Sequence, residues 1–398
     1  MNLLEVGLQN GLIYKTEETK QLRIDGISKI YPVYKIKLDI LFYNDQNDRI
    51  ATWISSNKNE LINLKSKDLV AYNNKVQEFI IKSNEAALNK TKKNIQIMGQ
   101  QEPGVILADG RIIDGNRRFT CLRAIQNELL ETQYFKAVIL DQDMKSDSKQ
   151  IKLLELYLQH GVDKIVDYNP IDKLIGIYND IIETNLLSVE EYAKATSRDV
   201  KDIKKDIEIA NLVVEFLEFI DSDKKFHLAR ELSLDGPLRE LYLILNKCKS
   251  EDQRYDIKNL VFAQLLVQPG TDMTRYIRKI STIAGNKKYL NDYIEENQET
   301  LEKVCDVITG DMNIDDVKKI RNERELGESF IDKVDKFIIK VDADITKNLP
   351  ATQIKKAITN IESIEISIVS KLKQEQKNEI LEKIGELEEL INLIKGEI

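Results

Sequence analysis

Residues 99–125 read GQQEPGVILADGRIIDGNRRFTCLRAI. Two short apolar runs within residues 104–114 flank Asp109-Gly110, a dipeptide that favours a tight hairpin turn between strands. The second run stops at Asp114-Gly115. A helix is expected over residues 116–127, because Phe119, Leu122 and Ile125 recur every three residues and would form its buried stripe. A strand that ends in Asp-Gly and turns straight into a helix carrying two arginines is an uncommon arrangement.

That junction, Asp114-Gly115-Asn116-Arg117-Arg118, carries the candidate chemistry. Gly115 admits backbone conformations closed to other residues and lets a ligand approach the main chain. The first turn of a helix offers unbonded N–H groups and a partial positive charge. Arg117 and Arg118 add planar forks that can hold phosphate oxygens in pairs, each charged hydrogen bond contributing roughly 1.5–3 kcal/mol. Asp114 could orient an arginine or a metal-bound water, and Thr120 could add a hydroxyl. On spacing alone a second reading stands beside this one, in which Asp114-Gly115 is a plain turn and the arginines are solvated. Arginine at a helix N-terminus opposes the dipole at up to about 1 kcal/mol each, a cost that a bound anion would offset.

Working outward, residues 28–42 are rich in β-branched and aromatic side chains and predict one or two strands. Residues 43–49 predict a loop, 57–97 a helical stretch and 134–140 another strand. Past residue 145 the pattern is helical throughout. Residues 151–159 predict a helix, and Asn169-Pro170 opens the next. Ser188-Val-Glu-Glu191 spells a capping box. Ser197 is a candidate cap for a longer helix reaching about Ile220, so three helices with tight turns outline a helix-turn-helix unit. Leu349-Pro350 predicts a helix break. Beyond it, Ile361, Ile364, Ile368 and Leu372, then Ile380, Ile384, Leu387, Ile391 and Ile394, form an apolar seam. That seam suits an intramolecular hairpin, with self-association as the alternative. The expected divisions are 1–145, 146–222, 223–345 and 346–398.

Composition narrows the function classes. A net charge of -8 supplies no global basic field for nucleic acid, so any such contact must be local. The three cysteines are scattered, which argues against a disulfide framework or zinc site and for a cytoplasmic location. Two histidines leave little material for a triad or a histidine-rich metal site. No apolar run predicts a signal peptide or a membrane span. Cys121 is expected in the core, and Trp53 as a packed aromatic rather than a platform for a base.

The run 99–125 also resembles the nucleotide-binding core of the ParB/sulfiredoxin superfamily. Gly99-Gln100-Gln101-Glu102-Pro103 is similar to its Gly–x–x–Gln–Pro segment, and Gly115-Asn116-Arg117-Arg118 to the box that opens its phosphate-binding helix. Arg49 falls at the arginine of the loop after the first strand, Glu155 at the glutamate that helps hold Mg²⁺, and Asn169-Pro170-Ile171-Asp172 at the start of the central helix. The resemblance spans residues 28–220. It implies an α+β ParB/sulfiredoxin-like domain followed by an all-α region with a helix-turn-helix-like unit and C-terminal amphipathic helices.

It further implies a nucleoside triphosphate, CTP or ATP, bound with Mg²⁺. Arg49, Gly99, Gln100, Asp114, Gly115, Asn116, Arg117, Arg118 and Thr120 would hold the nucleotide and Glu155 the metal. DNA would meet Arg198, Lys201, Lys204 and Lys205. A homodimer is expected, with the C-terminal helices open to a protein partner. Partition-type members carry glutamate where this chain has Asn116, so at most slow hydrolysis is expected. Glu102 stands at the usual glutamine, and the box holds no cysteine for sulfiredoxin chemistry. An NTPase, kinase or nuclease using the same pocket, or an interaction scaffold with a vestigial one, are the alternative functions.

Overall fold

The computed structural model describes residues 3–24, 27–140, 148–160, 169–286 and 288–397. Among these, β1 (Ile13–Ile24), β2 (Ile27–Lys37), β3 (Phe42–Tyr43), β4 (Gly104–Leu107), β5 (Arg111–Asp114) and β6 (Tyr134–Leu140) form one mixed sheet. Its order is β1-β2-β6-β4-β5-β3. The β4 strand runs parallel to β6 and antiparallel to β5, while β3 lies parallel to β5.

Alternation along the strands decides what covers each face. Ile106, Ile112, Phe135, Ala137 and Ile139 point to one side, where they pack on Tyr72, Val76, Phe79, Leu88, Phe119, Leu122 and Ile125. Val105, Leu107, Ile113, Val138 and Leu140 point to the other, against Ile151 and Leu154. A sheet covered on both faces needs central strands that are apolar throughout, which is the character of residues 104–107 and 137–140.

The first helices are α1 (Ala51–Ser56), α2 (Lys58–Lys67), α3 (Leu69–Ser83), α4 (Glu85–Met98) and α5 (Asn116–Leu129). The helical stretch expected over 57–97 is thus divided. Asp68 and Asn84 leave the helical conformation and accept hydrogen bonds from the following amides, so each starts a new helix. The β1 strand was not foreseen. Its sequence IYKTEETKQLRI is heavily charged, which suits an edge strand that must not pair with another chain.

Helices follow: α6 (Ser148–His160), α7 (Pro170–Ile177), α8 (Val189–Thr196), α9 (Val200–Phe219), α10 (Phe226–Glu231), α11 (Asp235–Leu245), α12 (Glu251–Val267), α13 (Met273–Gly285), α14 (Leu290–Asp306) and α15 (Ile314–Asn322). A π-helical turn, Tyr178–Glu183, continues α7. The capping box at Ser188 and Glu191 forms as the sequence suggested. Ser197 does not cap α9. It closes α8 in the left-handed conformation (φ 52°), and Asp199 takes the position before α9.

Arg230 of α10 clamps this region to the sheet side. Its guanidinium lies 4.1 Å above the Trp53 ring, pairs with Asp172 of α7 and donates to the Ser83 carbonyl at 2.9 Å. Trp53 stacks on Phe79, the packed role expected of it.

The last helices are α16 (Arg324–Glu362), α17 (Ile366–Val369) and α18 (Gln374–Gly396). The chain divides into two compact units, 1–335 and 336–398. The expected boundary at residue 145 lies outside the described residues. Pro350 does not end α16, contrary to the sequence expectation. Proline removes the hydrogen bond to Thr346, and Thr346 is exposed, so water can take that carbonyl. The intramolecular hairpin expected of the C-terminal seam does not bury it: α17 and α18 contain no buried residue among those described. No described helix is long and apolar enough to cross a membrane.

Candidate anion-binding site

The hairpin that presents the site is fixed at its tip. Gly110 has φ 97°, Arg111 N–H donates to Asp109 Oδ1 at 2.9 Å, and Phe42 N–H donates to the Gly110 carbonyl at 3.0 Å. Strand β5 then delivers Asp114 and Gly115 to the mouth of α5. Gly115 sits at φ 103°, and a Cβ there would lie 2.8 Å from Phe135 Cζ. The stripe Phe119, Leu122 and Ile125 is buried as the spacing requires. At roughly 1.5–3 kcal/mol for each such side chain, it holds the helix start in place. Cys121 lies in the core, and burial pushes its thiol up to about 11.

The two arginines behave differently. Arg118 turns back to Asp114, with its guanidinium 2.8 Å from the carboxylate. Arg117 is half-buried and makes no hydrogen bond or ion pair with any described residue. Burial lowers its pKa, and the charges of Arg49 and Arg118 lower it further. Arg117 thus feels the charges of Arg49 and Arg118 where β5 meets α5. The side chain of Asn116 is also buried, and its Oδ1 has no hydrogen-bond partner among the described residues. The site thus combines the unpaired charge of Arg117 with the open amides of a helix N-terminus, while the unmatched Asn116 oxygen is an acceptor that awaits a donor.

Other residues expected at this site have structural duties. Thr120 is fully buried. Its hydroxyl donates to the Asn116 carbonyl at 3.0 Å and shares a 2.8 Å hydrogen bond with Tyr43, so it is not presented to a ligand. Gln100 is buried as well. Its amide donates to the carbonyls of Lys136 (2.8 Å) and Glu102 (3.0 Å), and its oxygen accepts from Lys136 N–H at 2.8 Å. It pins the 99–103 loop to β6. Gly99 (φ 71°) is exposed at the end of α4 with open space beside it.

Glu155 departs furthest from its expected role. It is 1% exposed, accepting from Asn44 Nδ2 at 3.3 Å and Gln159 Nε2 at 2.9 Å. Beside it, Lys152 is also 1% exposed. The Lys152 ammonium lies 2.6 Å from Asp48, 3.3 Å from Asp180 and 3.7 Å from Glu155. Burial alone would lower the lysine pKa, but the three carboxylates outweigh it and hold it well above the ordinary value. Burial pushes Glu155 up to about 8 and Asp180 to about 7, with Lys152 opposing both shifts.

Sequence reasoning missed Lys152, Asp48 and Asp180. The available signal was the helix IKLLELYLQ, apolar on nearly every side, in which any lysine stands a good chance of burial.

The four residues expected to meet DNA divide. Arg198 is bound to Asp206 at 2.6 Å, a carboxylate that Arg239 also holds at 3.1 Å. Lys205 lies over the Tyr242 ring. Lys201 and Lys204 are exposed, as are Asp202 and Glu208 on the same helix.

Two surface hollows lie elsewhere. One of about 430 Å³ is lined by Ser55 to Glu60 and Lys224, and one of about 500 Å³ lies against Gln253, Asn291 and Gln298. Neither contains the arginine pair. No family model matches the chain, and no curated protein matches it.

Proposed function

We propose that this chain is a ParB-like switch protein that binds a nucleoside triphosphate, through its phosphates, at the junction of β5 and α5. The observation that carries the reading is Arg117: a half-buried guanidinium with no counter-ion among the described residues, set beside two further arginines. Such a group is costly in the free protein and is neutralised when a polyanion arrives. Arg118 and the first amides of α5 would share the phosphates, and Asp114 holds Arg118 in position. Asn116 supplies no carboxylate to activate water, so turnover at this site is slow or absent.

Thermal shift with inorganic tripolyphosphate, ATP, CTP, GTP and UTP tests the reading. A ligand at a hundred times its Kd stabilises the fold by about 2.7 kcal/mol. The response should vanish in Arg117→Ala. An equal response in wild type and variant would remove the site from consideration.

The second element of the switch is self-association through α18, with a second copy of the chain as the occupant. Ile380, Ile384, Leu387, Ile391 and Ile394 follow a strict four-three spacing over a helix that buries none of them. In a parallel pair on this register, Lys383 of one copy faces Glu388 of the other, which is the flanking charge match that two-stranded coils use. DNA contact in this reading rests on Lys201 and Lys204, the exposed pair of the four basic residues.

A further inference from the structure

The acidic centre around Glu155 has its cation already. Lys152 has three ammonium protons to donate. Asp48 takes one at 2.6 Å and the Gln46 carbonyl another at 3.1 Å, while Asp180 lies at 3.3 Å as an ion pair whose Oδ2 accepts no hydrogen bond. Both Glu155 oxygens accept from amides, those of Asn44 and Gln159. On the α7 flank Asp48 packs closely on Gly176, where an added Cβ would lie 2.9 Å from its Cγ. Mg²⁺ keeps several waters and needs oxygens at about 2.0–2.1 Å. A centre whose four ionisable groups are all less than a tenth exposed, with an ammonium in its middle, does not fit that ion.

We infer that Lys152 is the resident cation of this centre, and that the arginine site beside it takes polyphosphate without a divalent metal. The second half of this inference rests on the polyphosphate-binding reading above; the first does not. The two sites are joined by one peptide. Asp48 is held by Lys152, and the next residue, Arg49, bears on Arg117. Pinning the 44–49 loop to α6, a task a bridging metal could perform, falls here to the ammonium. Gln46 and Asn44 of the same loop are bound to Lys152 and Glu155, which spreads the anchor over most of its length.

The test uses the full chain and Mn²⁺ alone, followed by electron paramagnetic resonance, with tripolyphosphate as a separate probe. Wild type and Glu155→Gln should show the same weak Mn²⁺ binding. Lys152→Ala should open the three-carboxylate centre and bind Mn²⁺ at least tenfold tighter than wild type. Adding Glu155→Gln to that variant should abolish the gain. Tripolyphosphate affinity of the wild type should be at least as high in EDTA as in Mg²⁺, which complexes the free polyanion.

A wild-type Mn²⁺ site weakened tenfold by Glu155→Gln would overturn the inference, as would a folded Lys152→Ala chain that gains no Mn²⁺ binding. Tripolyphosphate binding lost in EDTA would overturn the metal-free half. Should Lys152→Ala not fold, by circular dichroism, the comparison of wild type with Glu155→Gln decides alone. Failure of tripolyphosphate to bind under any condition would count against the proposed function and leave the Mn²⁺ comparison to judge Lys152.

Discussion

Arg118 bonds to Asp114 at 2.8 Å by reaching back across Gly115, whose φ is 103°. The bridge closes over a backbone conformation that only glycine adopts freely. Gly115→Ala would meet both a strained φ and the Phe135 ring. It should lower unfolding free energy by about 1–3 kcal/mol, read as a lower denaturation midpoint at unchanged slope.

Arg117 gains no hydrogen bond or ion pair from any described residue in the free fold. Its half-burial and its two guanidinium neighbours all disfavour its charge. Arg117→Ala should therefore unfold at the same temperature as wild type or above it when no ligand is present, while losing at least tenfold in tripolyphosphate affinity. Raised ionic strength should narrow any stability gain only slightly, because repulsion between partly buried charges is screened weakly. A marked drop in unfolding temperature would mean that Arg117 has a structural role instead.

The buried carboxylates set a pH dependence of known sign. Glu155 is raised to about 8 and Asp180 to about 7, both by burial, so the folded chain holds protons that the unfolded chain has released. Their contribution to stability is fully present below the unfolded carboxylate values, about pH 4, and is lost as pH rises through the folded values. Urea midpoints measured from pH 5 to 8 (a window set by the two shifts, roughly) should decline steadily. Glu155→Gln should flatten the decline. A midpoint rising over the same window would contradict the assignment.

Self-association through α18 should show in sedimentation. The full chain should run as a dimer, and Ile384→Asp with Ile391→Asp should return it to a monomer with its circular dichroism largely kept. A monomeric wild type at high concentration would exclude the second copy as occupant.

Gel shifts can weigh the DNA contact. If Lys201 and Lys204 each neutralise a phosphate, replacing both with alanine should reduce the dependence of log affinity on log salt by about two. An unchanged salt slope would place any DNA contact elsewhere.

The parts of the fold governed by local pattern were legible in the sequence. The hairpin over 104–114, the stripe Phe119, Leu122 and Ile125, and the capping box at Ser188 all depend on near neighbours. What was hidden depends on distant partners. Thr120 looks like a ligand hydroxyl until Tyr43, far back in the chain, is seen to claim it. Lys152 looks like a surface residue until Asp48 and Asp180 converge on it. The strand β1 carries too many charges to read as sheet, because an edge strand follows a different compositional rule from a central one.

Arg230 has a consequence for dissecting the molecule. Asp172 is wholly buried, and its guanidinium partner comes from a helix that begins only at Phe226. A fragment ending at residue 222, where composition invites a cut, would keep the carboxylate and lose the counter-charge. Orphaning one member of a buried pair costs about 3–5 kcal/mol, a large share of a small domain's total. The early helices thus depend on a later segment for charge neutrality, and the shortest autonomous piece of this chain must extend beyond that arginine.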